Sequence, residues 1–158
     1  EVVEPHLHPK DPIKRARNRA WTDFVPDFSK GLSAVYRKET MAEMEAGRPD
    51  AEKVLGKLED AIKVERGNDG PYFNGDTLCL VDAAYAPFFQ RFMIAEERLN
   101  TGLLDGFPLV KVWCEALLAS ELVTGSVADS FVPEFKASMK RYGYHIGNLF
   151  EQEATAAE

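Results

Sequence analysis

Few residues of this 158-residue chain are equipped for chemistry: two cysteines, three histidines and a cluster of cations near the amino end. Cys79 and Cys114 lack C-x-x-C spacing and sit among apolar neighbours, so they read as buried thiols kept in a reducing compartment. A reactive thiol needs an electropositive, partly open setting. Cys114 follows Trp113 on an apolar stripe and reads as inert core. Cys79 stands where a helix N-cap belongs, and a helix N-terminus favours a thiolate, but the acid at Asp82 opposes that charge, which points to a structural part. His6 and His8 offer two nitrogens on a proline-flanked segment, yet no Cys or carboxylate cluster completes a metal site, so they read as surface linker. His145, beside Tyr144, reads as a packing or capping residue. There is no G-x-S-x-G elbow, glycine-rich phosphate loop or H-E-x-x-H, so no catalytic residue and no metal ligand is assigned.

Two binding features remain open. Lys10, Lys14, Arg15, Arg17 and Arg19 crowd the start of a helix, where cations oppose the macrodipole. They form either an electropositive lip for an anionic ligand or a solvated face paired with neighbouring acids. Trp21, Phe24 and Phe28 form an aromatic stripe at helical spacing, which is either core or the lining of an apolar pocket.

The elements that carry these residues are helices. Apolar positions from Ile13 to Tyr36 recur at steps of three and four after Asp11-Pro12, predicting one long amphipathic helix kinked near Pro26. Gly47-Arg48-Pro49-Asp50 breaks the pattern and predicts a second cap, with a helix from there to about Glu65. A polar loop, Gly67 to Thr77, leads to a run from Leu80 to about Ala95 that is apolar almost all round, as befits the middle of a bundle. Gly106-Phe107-Pro108 opens another helix, a short turn falls near Leu122-Val123, and a last helix covers about Ser130 to Tyr142. Residues 1–9 read as the remnant of a preceding domain and a linker, 10–150 as one domain and 151–158 as a disordered tail, the abrupt Glu1-Val2-Val3-Glu4 resembling a cut helix end. The fold expected is an all-α bundle of about five to six helices around a buried central one.

Composition narrows the partners. With 45% apolar residues the chain can build a core without staples. A net charge of −7 and a pI near 5.1 argue against a nucleic-acid partner. No apolar run approaches the ~20 residues of a membrane span, and no basic-then-apolar signal opens the chain, so a cytoplasmic protein with no membrane partner is expected.

The segment from Pro71 to Pro87, PYFNGDTLCLVDAAYAP, resembles the hallmark of the C-terminal domain of glutathione transferases, in which F-x-G-x-x-x-S-x-x-D starts the central buried helix. Leu78 takes the position of a hydrophobic staple and Asp82 that of the N3 acid of a capping box. Cys79 departs from the family's usual Ser or Thr. Pro5 to Pro12 with Arg15-Ala16-Arg17 and Trp21 is similar to the family's interdomain linker and first helix, and Gly106-Phe107-Pro108 with Val112-Trp113 to the phrase after the buried helix. Pro87-Phe88-Phe89-Gln90-Arg91 is similar to omega-like members.

The resemblance implies a protein of two parts: a thioredoxin-like domain that binds glutathione, as co-substrate, and carries the catalytic Tyr, Ser or Cys, and this helical domain, which floors the site of a small hydrophobic electrophile. The whole protein would join glutathione to electrophiles, a detoxification chemistry, or reduce glutathione mixed disulfides, and would be a homodimer. Nothing here resembles the thioredoxin-like part, so these residues alone are expected to be inactive. On that resemblance, helical facing makes Trp21, Phe24 and Phe28 the apolar wall, Tyr142 its closure from the last helix, and Arg17 or Arg91 the attraction for a polar end. The alternative is a non-catalytic interaction module of the same fold. A thiol is a weak acceptor, so the box at Cys79 is expected to be weaker than with Ser by about 0.5–1 kcal/mol. Cys79→Ser is therefore expected to raise the thermal unfolding midpoint; a lowered midpoint identifies Cys79 as a packed hydrophobe instead.

Overall fold

The computed structural model describes residues 7–156, with the backbone alone for 153–156. Glu1 to Glu4 and His6 lie outside the described residues. Asp11 accepts the Lys14 amide at 2.8 Å and Pro12 fills the first turn, starting α1 (Pro12–Asp23). Pro26 has no N–H to give the Thr22 carbonyl; the Phe24 amide bonds the Ala20 and Thr22 carbonyls, and the chain restarts as α2 (Val25–Ser33). The single kinked helix expected over this stretch is thus two.

The larger correction concerns α3 (Met41–Glu65). It begins at a capping box in which Thr40 Oγ1 accepts the Glu43 amide and Glu43 the Thr40 amide, at 3.2 and 3.1 Å, so Gly47 and Pro49 lie inside the helix. Gly47 is needed for contact: a Cβ there would lie 2.4 Å from the Ala34 carbonyl oxygen beyond the end of α2. Gly31 plays the same part from α2, where a Cβ would come 2.7 Å from Val54. Pro49 falls on an exposed face, where the carbonyl it leaves free reaches water.

The central helix α4 (Leu80–Leu99) runs four residues past its expected end to Asn100, whose φ of 48° closes it in the left-handed region. A 3-10 turn (Leu103–Gly106) leads to α5 (Pro108–Ala119), and a single helical turn, α6 (Glu121–Thr124), to α7 (Phe131–Arg141). A further helix, α8 (His145–Ala156), continues through the start of the expected tail. Ile146 and Phe150 bury its inner side, and Lys140 of α7 holds Asn148 and Glu151 at 3.0 and 2.5 Å. No helix among the described residues is long and apolar enough to cross a membrane.

The core centres on Trp113, whose ring lies 5.3–5.6 Å from those of Tyr85, Phe89 and Phe73. Under this cluster sits Asp82, fully buried. One of its oxygens accepts the Trp113 indole N–H at 2.6 Å and the Phe73 amide at 2.9 Å, the other the Cys79 amide at 2.7 Å. Both halves of the box foreseen at Cys79 and Asp82 are present. Leu78 packs half-buried against the core beside it. Ahead of α1, the Leu7 carbonyl accepts the Leu80 amide at 2.9 Å, satisfying another first-turn group of α4. Glu59 does the equivalent for α5, accepting the Leu109 and Val110 amides at 3.0 and 2.9 Å from across the bundle.

Bonds to a charged group contribute about 1.5–3 kcal/mol each, and a donor left unpaired in the interior adds its desolvation cost. Asp82→Ala is therefore expected to cost roughly 3–5 kcal/mol in urea unfolding; a loss within the noise of an exposed-site control such as Lys63→Ala would show the three bonds to be expendable.

Candidate functional site

The first helix places the predicted wall. Its buried side passes through Asn18, and Asn18 rather than an apolar residue is what α1 buries. Ile13, Ala16 and Ala20 face outward, Ile13 at 65% exposure, and Trp21 and Phe24 stand half-buried beside them. Trp21 meets Phe24 edge-on at 5.7 Å and Phe73 at 6.1 Å, and the Tyr85 hydroxyl donates to the Trp21 carbonyl at 2.7 Å, locking this turn of α1 to the central helix. Sequence reasoning passed over Phe73 and Tyr85 as site residues. A tyrosine within an otherwise apolar helix was the available signal, because a buried hydroxyl needs a partner.

The other candidates separate. Phe28 has 0% exposure and packs between Tyr85 and Phe89 at 4.9 and 5.2 Å, so it is core and not wall: the break at Phe24 turns this part of the stripe inward. Tyr142 caps the C-terminus of α7, 65% exposed, with Tyr144 and Arg141 as its ring neighbours, in a hairpin whose helices pack on each other. Arg91 donates to the Pro87 carbonyl at 2.6 Å and lies over the Phe131 ring of α7. Arg17 faces Glu65 at 3.7 Å, and Arg15 folds back onto the Lys10 carbonyl at 2.8 Å, while Lys10, Lys14 and Arg19 are exposed. Of the basic cluster, Arg17 thus meets an acid and Arg15 a backbone carbonyl, while the other three side chains stand exposed along α1 and ahead of it.

Phe24 also borders a groove of about 270 Å³ between α2 and α3, lined by Asp27, Lys30, Gly31, Asp50, Lys53, Val54 and Lys57. The Lys57 ammonium lies 5.1 Å from the Phe24 ring centre. Among the described residues, no group of three or more His, Cys, Asp or Glu is placed to hold a metal.

The thiols are set against reaction. Burial pushes both up to about 12, reinforced by the Asp82 charge for Cys79 and by Glu115 for Cys114. Cys79, 6% exposed, is both cap and core residue.

A family model described as "Glutathione S-transferase, C-terminal domain" matches residues 41–116. Among curated proteins, Glutathione S-transferase U19 of Arabidopsis thaliana is 32% identical over 137 residues, covering 84% of this chain and 59% of that protein. Probable glutathione S-transferase parC of Nicotiana tabacum is 31% identical over 129 residues, covering 79% and 54%. The chain thus spans little more than half the length of these relatives. Among solved structures, glutathione transferase Omega 3C from Trametes versicolor aligns with a TM-score of 0.69 at 27% identity, over 87% of this chain and 57% of that one.

The raised thiols carry a pH consequence. Between about 9, the ordinary value, and about 12, the unfolded chain releases thiol protons that the folded chain keeps, so stability falls as pH rises through that window. At neutral pH neither cysteine is expected to react with iodoacetamide until the chain is unfolded, as read by intact mass. Rapid labelling of the native protein would show an accessible thiolate.

Proposed function

The chain belongs to the glutathione S-transferase family, matching its C-terminal all-helical domain, and we propose that it floors the electrophile site of a protein that transfers glutathione to small apolar electrophiles or reduces glutathione mixed disulfides. The observation that carries this reading is the outward apolar side of α1, where Ile13, Ala16 and Ala20 run beside the half-buried Trp21 and Phe24. A helix normally turns such a stripe to the core. Here the stripe is free, its aromatic end is anchored through Tyr85, and cations lie along the same helix for a polar or anionic group on the ligand. Glutathione is held mainly by a thioredoxin-like part of the protein that also supplies the reacting group, and the whole works as a cytoplasmic homodimer.

Kinetics of the full-length protein with a generic aromatic electrophile test the reading. Trp21→Ala is expected to raise KM for the electrophile about tenfold, the scale of a lost apolar contact in a substrate pocket, with KM for glutathione unchanged and Trp21→Phe restoring most of the loss. The 158-residue chain alone is expected to show no glutathione-dependent turnover. Turnover by the isolated chain, or an electrophile KM indifferent to Trp21, overturns the division of labour.

A further inference from the structure

Among the described residues, the buried polar side-chain atoms without a protein partner all fall in one short stretch: His8 Nδ1, Arg15 Nε, and both Oδ1 and Nδ2 of Asn18. Asn18 is fully enclosed, and Arg15, three residues before it, shares its face of α1. That helix packs on α4, and the segment containing His8 reaches the same helix through the Leu7–Leu80 hydrogen bond. An enclosed carboxamide with both ends unpaired has lost its hydration without compensation. Protein interiors meet this need with ordered water, which takes two to four bonds from polar groups otherwise unsatisfied.

The donor and acceptor types match that remedy. Arg15 Nε and Asn18 Nδ2 donate; Asn18 Oδ1 accepts, as does His8 Nδ1 in the neutral ring protonated at Nε2. A water molecule accepts two bonds and donates two, and it can close a ring with both ends of one carboxamide. All four atoms are shut off from solvent, so bulk water does not reach them. We propose that the seam between α1 and α4 is a hydration site, where an ordered water binds Asn18 and Arg15 and His8 complete its coordination. The site lies one turn before Trp21; its ligands join α1 to the segment at His8, while the Tyr85 hydroxyl ties the same helix to α4.

The test is the number of long-lived internal waters per molecule, measured by oxygen-17 magnetic relaxation dispersion on the 158-residue chain and its Asn18→Leu variant, together with crystallographic density around Asn18. The unaltered chain is expected to hold a long-lived water in hydrogen-bond contact with the carboxamide, and Asn18→Leu, which fills the space with apolar atoms, is expected to lose it. Identical dispersion in the two proteins, or density showing the carboxamide bonded to protein atoms alone, overturns the proposal. If Asn18→Leu does not fold, the density of the unaltered chain decides.

Discussion

One buried carboxylate organises this bundle. Asp82 takes three N–H groups from three separate pieces of chain: the loop at Phe73, the cap at Cys79 and the indole of Trp113 on α5. A carboxylate in an apolar interior is tolerable only when such donors surround it. The dependence runs both ways, since the loop and the Trp113 ring are placed by the acid that needs them. Glu59 repeats the device at the other end of the same contact, offering α5 the cap that Phe107 lacks. The position of α5 against α3 and α4 is therefore set by two acids, and the aromatic cluster around Trp113 fills what they define.

Much of this could be read in the residues. The central helix announced itself by having no polar face, and its start by Leu78, Cys79 and Asp82 at the spacing of a staple and box. What misled was glycine and proline inside α3. Gly47 and Pro49 have the look of a chain break, because the local pattern cannot distinguish a glycine that ends a helix from one that lets a neighbouring backbone approach within van der Waals contact. The Thr40-x-x-Glu43 box was the stronger signal, being a reciprocal pair of bonds rather than a preference. For α8 the cue was Ile146, Leu149 and Phe150 at helical steps, overshadowed by the acidic, alanine-rich residues that follow.

The candidate site was legible in residue type and not in direction. Trp21, Phe24 and Phe28 share a stripe if the helix is straight. Once Pro26 divides it, Phe28 belongs to the core while Trp21 and Phe24 stay at the surface. Nor does periodicity foresee that α1 would bury an asparagine and expose Ile13. That choice depends on which side of the helix α4 presents itself to, a property of the assembled bundle.

The Leu7–Leu80 hydrogen bond fastens the strand of chain ahead of α1 directly to the first turn of the most deeply buried helix. The chain is thereby tied to α4 before α1 begins, and the entry of one helix becomes part of the cap of another: without the Leu7 carbonyl, the Leu80 amide would be one more first-turn donor of α4 in need of a partner.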